Sequence, residues 1–203
     1  MGTPVRPSFR EQMLAAREDA IVHSAGRLLA DKGFDAMTVD EVAASVGIAK
    51  ASLYKHFESK EDLAAAAMVR VLRRALQFLD AIDPQLPAMD KLRAMVRWTL
   101  QVRLAGEIPA VPGARSTLRA ALQANTDYAQ CMAQAGEQVG GWIRQAQAAG
   151  ALNARLPVPV VLYTLYARAC DPVVDFLKVA GEQRDEEIVE LVVSTCFDGL
   201  SAR

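Results

Sequence analysis

Histidine, cysteine and aromatic residues are all scarce in this 203-residue chain, which has two histidines, three cysteines and 6% aromatics. Each scarcity removes a class of function. His23 and His56 both lie in the N-terminal part, with no nucleophile, metal cluster or phosphate loop beside them in sequence, so enzymatic chemistry is not expected. Cys131, Cys170 and Cys196 are far apart in apolar, helical contexts. They have neither metal-ligand spacing nor the pattern of a disulfide framework, and read as small buried hydrophobes. No metal and no cofactor is expected. No segment is apolar for long enough to span a bilayer, and the N-terminus lacks the apolar core of a signal peptide. The expectation is a cytoplasmic protein without a membrane partner, nucleoid-associated when bound to DNA. With 12 glycines, 9 prolines and no strongly alternating Val/Ile/Thr run, the chain reads as all-α. The formal net charge of −1 argues against a uniformly basic surface, so any nucleic-acid footprint must be local.

The most informative stretch runs from Thr38 to Leu63, TVDEVAASVGIAKASLYKHFESKEDL. Thr38 followed three residues later by Glu41 is a capping box, so a helix starts just after Thr38. Val39, Val42, Ala43 and Val46 give it one apolar face. Gly47 stands where the chain turns sharply, which glycine does without steric cost. The next helix, roughly Lys50 to His56, buries Leu53 and Phe57 and leaves Lys50, Ser52, Tyr54, Lys55 and His56 for the surface. Two short helices about a glycine turn make a helix-turn-helix, whose second helix can enter the DNA major groove. Lys50, Lys55 and Lys60 outnumber Glu58 here, giving a basic edge on a near-neutral protein.

Several elements fall at one spacing: the first helix AREDAIVHSAGRLLADKGF, Thr38 to Ala43, Val46-Gly47-Ile48, Leu53 to Phe57, Lys60 and Leu63. Over roughly residues 17 to 65 the chain thereby resembles the DNA-binding domain of the TetR family of transcriptional regulators. The resemblance implies an all-α protein of about nine helices. Residues 1–16 would be an N-terminal arm, 17–63 the helix-turn-helix domain, and 64–203 a ligand-binding and dimerisation domain joined to it by the fourth helix. It further implies that Lys50, Ala51 and Tyr54 meet bases or the groove. Ser52, Tyr54, His56 and Lys60 would meet phosphates, with Thr38 and Lys55 on the same surface. The chemistry suits these roles: a lysine donor reaches guanine O6 or N7, and hydroxyls donate to phosphate oxygens. Lys60 sits in the first turn of a helix, where backbone amides also attract phosphate. Ala49 departs from the family pattern, which more often has a Ser or Thr cap there. Arg6 and Arg10 read as a solvated tail.

Further along, Ser8 with Glu11 is a second capping box, Gly33 ends the first helix, and Ser59 caps the fourth. Asp80 to Pro87 reads as a linker. Helices follow near 89–105, 114–123 and 126–149. One longer helix, from about Pro157 to Gly181, is kinked at Asp171-Pro172, and a last helix spans 185–200. In that last helix Ile188, Leu191, Val192, Thr195 and Cys196 suit the chain's own core, which leaves Val189, Val193 and Leu200 needing another surface. With Tyr166 and Val173 they form the expected homodimer interface through the last two helices, and a dimer would read a palindromic operator in double-stranded DNA. Met95, Trp98, Tyr128, Met132, Trp142, Tyr163, Tyr166 and Phe176 look inward and suit an apolar effector pocket. Arg103 and Asp171 are candidate polar groups in it, as are Arg115 and Arg168. The function expected is a repressor released by a small, mostly apolar ligand. The alternatives are a constitutive DNA-binding regulator without inducer and, least favoured, a helical enzyme.

Overall fold

The computed structural model describes residues 8–109 and 116–199, and all regular structure among them is helical. The elements are α1 (Phe9–Ala36), α2 (Val39–Val46), α3 (Lys50–Leu53), α4 (Lys60–Ala81), α5 (Ala88–Leu104), α6 (Thr117–Ala124) and α7 (Thr126–Ala148). Then come α8 (Val158–Tyr166), a 3-10 turn (Ala167–Cys170), α9 (Pro172–Ala180) and α10 (Asp185–Asp198). No helix among the described residues is long and apolar enough to cross a membrane. Arg6, Arg115 and Leu200 lie outside the described residues.

Local signals place most boundaries. Ser8 and Thr38 each head a complete capping box, with Glu11 and Glu41 as the reciprocating carboxylates. Ser59 accepts from the Asp62 amide at 3.0 Å to start α4. Gly33 breaks the helical path of α1 at φ 77, and Gly47 closes α2 in the left-handed region at φ 72, where a side chain would be strained.

Packing divides the chain into two cores that share α4. The first gathers Ile21, Ala25 and Leu29 of α1, Val42 of α2, Leu53, Phe57 and Leu63 to Ala67. The second takes Val69, Leu76 and Leu79 from the same helix and packs them with α5, α7, α8 and α10. Leu118 and Leu122 of α6 are buried in the first core, not the second. A helix that follows α5 in sequence therefore completes the helix-turn-helix unit.

Three expectations need correction. The 157–181 segment is broken rather than kinked. Pro172 sits at the first position of α9 and Asp171 caps it, its carboxylate accepting from the Val173 amide at 3.1 Å. Aspartate as N-cap followed by proline is a helix-start signature, so a new helix begins there. On α10, Val189 and Val193 are buried in the chain's own core, while Leu191 is half exposed. Two ion pairs go with this rotation: Arg97 of α5 meets Glu190 at 2.5 Å and Arg93 meets Asp198 at 2.9 Å. Tyr163 and Phe176, expected inside, are exposed at 66% and 72%.

Candidate nucleic-acid interface and effector region

The candidate DNA-facing surface is built on α2 and α3. Leu53 is fully buried and Phe57 nearly so, anchoring α3 to the first core. Lys50, Ala51, Tyr54 and Lys55 are exposed and Ser52 is half-buried. The helix itself is one turn long, Lys50–Leu53, and continues as a hydrogen-bonded turn to Phe57. This is shorter than the expected run to His56. Its N-cap, Ala49, has the extended backbone of a cap but no side-chain oxygen to offer.

Charges on this surface are held by neighbours. The Lys50 ammonium donates to the Asp40 carboxylate at 2.7 Å, which holds its pKa above the usual range. Lys60 stands 4.4 Å over the Phe34 ring and donates to the Asp35 carbonyl at 3.3 Å. Glu41 accepts from the Thr38 amide at 3.0 Å and from Lys32 at 2.5 Å. Lys32 and then Thr38 keep its carboxyl below the usual range. His56 is the exception among the DNA candidates. Its side chain is 7% exposed and its Nδ1 lies 3.7 Å from Glu18 on α1, so the ring is buried beside α1 instead of facing outward.

Residues assigned to an effector pocket separate into four groups. Met95 and Trp142 are buried in the second core, and half-buried Trp98 stacks on Phe78 with centroids 5.0 Å apart. Tyr128 and Met132 are half-buried on α7, and Tyr128 packs against both cores. Burial, and next the neighbouring Cys170, raises the Tyr128 pKa. Arg103, Tyr166 and Asp171 meet at the 3-10 turn. Arg103 donates to the Ala169 carbonyl at 2.9 Å and to Asp175 at 2.5 Å, while Arg168 pairs with buried Asp171. Tyr163 faces away, with Val160, Val173, Phe176, Val179 and Leu191 also exposed on α8, α9 and α10.

One cleft was not anticipated. An open space of about 550 Å³ lies between α1, α4 and the start of α7, lined by Glu18, Asp19, Arg70, Arg73, Arg74 and Asp127 among others. Its walls are joined by ion pairs: Arg70 to Asp19, and Arg73 to Asp127 at 2.7 Å. Arg74 reaches Glu107 just beyond α5. The sequence signal was the spacing of Arg70, Arg73 and Arg74, which places them on one side of α4. A further tie, from the Thr117 hydroxyl to Glu61 at 2.7 Å, fastens α6 to the first turn of α4.

Residues 21–67 match the family model of the bacterial regulatory proteins of the tetR family. The biofilm operon icaADBC HTH-type negative transcriptional regulator IcaR of Staphylococcus aureus (strain Newman) is 48% identical over 46 residues, 23% of this chain and 25% of that protein. The match thus spans about a quarter of the length of that curated relative. Among solved structures, the fatty acid degradation regulator FadR from Bacillus halodurans superposes with a TM-score of 0.70 at 16% identity, covering 92% of this chain and 97% of that one. The transcriptional regulator FadR from Bacillus subtilis, solved in complex with stearoyl-CoA, gives 0.67 at 14% identity, covering 90% and 99%. At such identities the likeness is one of fold, and it extends over both cores.

Proposed function

We propose, from the premise that this chain belongs to the TetR family of transcriptional regulators, that it is a homodimeric repressor. In this reading it binds a palindromic operator and is released by a small, mostly apolar ligand held in the C-terminal domain. The observation that carries the DNA reading is the arrangement of α3. Leu53 and Phe57 hold it in the first core while Lys50, Ala51, Tyr54 and Lys55 face solvent. Lys50 exchanges Asp40 for a base edge or a phosphate on binding, and Tyr54 and Ser52 supply hydroxyls. The Thr38 and Ser59 ends of α2 and α4 offer helix N-termini to the backbone.

Dimerisation is supported by the exposed apolar residues of α8, α9 and α10. Val160, Tyr163, Val173, Phe176, Val179 and Leu191 are more outward-facing bulk than a monomer ordinarily leaves wet. They replace Val189 and Val193 as the proposed contacts. Two reading heads about 34–36 Å apart would then meet successive turns of the major groove. Release follows from α4, which belongs to both cores. A ligand that fits one arrangement of the second core better shifts the population toward it, and α4 carries the shift to the reading head. Stearoyl-CoA in the Bacillus subtilis relative supports an acyl effector here.

Selective enrichment of random duplex DNA tests the reading, with a Lys50→Ala/Tyr54→Ala double variant alongside. A palindromic motif enriched by the parent protein alone is the expected result. Enrichment of the same motif by the variant would remove α3 from the interface. The constitutive reading, with no inducer, draws on the close packing of Met95, Val96, Val139 and Trp142. Operator affinity that stays constant while a bound ligand saturates the protein would favour it.

A further inference from the structure

Asp40 is an acidic residue set against the basic edge of α3. It lies in the first turn of α2, next to Glu41. Glu41 closes the cap at Thr38 and pairs with Lys32. The carboxylate of Asp40 is instead turned to α3, where it accepts from the Lys50 ammonium at 2.7 Å. The Asp40 and Lys50 side chains are 66% and 50% exposed, so the pair adds little to stability and breaks at small cost. A carboxylate on a surface that meets phosphates weakens binding to every sequence alike, unless some sequences offer it a donor.

The major groove holds such donors. When Lys50 leaves Asp40 for a base, the freed carboxylate stays one hydrogen bond away and must find a donor in the negative field of the duplex. Phosphates and keto oxygens only accept, whereas the exocyclic amino groups of cytosine and adenine donate. Within a base pair the keto oxygen and the amino nitrogen are hydrogen-bonded to each other, hence about 2.9 Å apart. The Lys50 nitrogen and the Asp40 oxygen are 2.7 Å apart. A donor and acceptor side by side on the protein therefore meet an acceptor and donor side by side on one base pair. Guanine adds N7 as a second acceptor for the lysine, whereas thymine offers O4 alone beside a methyl group. We propose that Asp40 is a specificity-determining residue: with Lys50 it selects one G·C pair in each half-site, Lys50 donating to guanine O6 and N7 while Asp40 accepts from the N4 amino group of the paired cytosine. The inference deepens the DNA-binding reading above and rests on it. A reversed pair sets amino group against ammonium and keto oxygen against carboxylate, so both contacts fail together. Where Lys50 takes a phosphate instead, Asp40 faces only acceptors, which holds down binding to unrelated DNA.

Enrichment of random duplex DNA by the full chain, followed by anisotropy titration of operators with single base-pair changes in one half-site, tests the assignment. The position served by Lys50 is the one whose discrimination Lys50→Ala flattens. There the parent protein should prefer G·C, and reversing that pair should weaken binding by about tenfold or more. Asp40→Ala should cut that penalty by at least about threefold and leave the penalties at other positions as they are. It should also tighten binding to an unrelated duplex and steepen the log–log salt slope by about one, because a lysine without its carboxylate takes a phosphate. Asp40→Asn keeps an accepting oxygen and adds a donating amide, so it should tolerate either orientation of the pair. Both variants leave the Thr38–Glu41 cap in place, and their helical circular dichroism should match the parent. The proposal is overturned if no position depends on Lys50, if that position is not G·C, if the reversal penalty is the same in Asp40→Ala, or if Asp40→Ala weakens binding to unrelated DNA. A motif that depends on Lys50 and Tyr54 while Asp40→Ala changes nothing overturns this inference alone. A motif that survives the Lys50→Ala/Tyr54→Ala variant, or no motif from the parent, overturns the reading on which it rests.

Discussion

Replacing Ala49 by serine should strengthen α3. Ala49 already has the extended backbone of an N-cap, φ −70 and ψ 144, and is exposed, so the hydroxyl needs no backbone rearrangement. In α3 the Ser52 amide already reaches the Ala49 carbonyl at 2.8 Å, which leaves the Ala51 amide as the donor for a new cap. A serine cap in place of alanine is worth about 1 kcal/mol. On a four-residue helix with no other cap that is a large share of its local stability. Amide exchange at Ala51 should slow by about fivefold, the equivalent of about 1 kcal/mol. The global melting temperature should rise by only about 2 °C, because the unfolding entropy of a chain this long dilutes the gain. Operator affinity should rise by up to the same factor of about five, since a helix already ordered need not be ordered on binding. Exchange at Ala51 that is unchanged in Ala49→Ser would refute the reasoning. So would equal protection in Ala49→Val, whose side chain carries no acceptor and is a poor cap.

Other substitutions probe other parts of the argument. Gly47→Ala should cost about 1–2 kcal/mol in urea unfolding through backbone strain alone, because no atom stands within 4 Å of the added methyl. Phe176→Glu with Val179→Glu should convert the proposed dimer to monomer in sedimentation velocity and leave the helical circular dichroism unchanged, as both side chains are exposed. Leu118→Ala on α6 should lower the stability of the reading head by about 2–5 kcal/mol, a cavity cost, read as faster exchange in α1 and α2. Glu41 has a lowered folded-state pKa, so its contribution is present above the ordinary carboxylate value and is lost as pH falls through the lower folded value. Acid titration followed by amide exchange at Thr38 should show that loss below about pH 4, and Glu41→Gln should abolish the pH dependence.

What could be read in the sequence was whatever the backbone settles locally. Ser8 with Glu11, Thr38 with Glu41, Ser59 and Gly47 each place a helix end within a few residues of themselves, and the structure puts the ends there. The exposed face of α3 was readable for the same reason, because Leu53 and Phe57 leave one way for a short helix to lie. Orientation on α8 and α10 was not readable. Both are apolar on more than one side, so periodicity offers no unique inward face. Packing against distant parts of the chain decides it: Val189 and Val193 go into the second core, with Arg93 and Arg97 of α5 paired to Asp198 and Glu190 alongside, and Leu191 stays out. Asp171-Pro172 carried a local signal that was assigned to the wrong device, a kink where the pair in fact opens a helix. The burial of His56 against Glu18 depended on α1, 38 residues away in sequence, and no local pattern marked it.

The sharing of α4 has a consequence for anyone who would cut and splice this molecule. Leu63 to Ala67 belong to one core and Val69 to Leu79 to the next, with no joint between them, and α6 returns Leu118 and Leu122 to the first. A hybrid made by joining α1 to α4 to another C-terminal domain at the end of α4 would leave a hole where those two leucines sit. The exchangeable unit is therefore discontinuous, α1 to α4 together with α6. A graft that respects it must carry two pieces of chain, or redesign the surface that α6 covers.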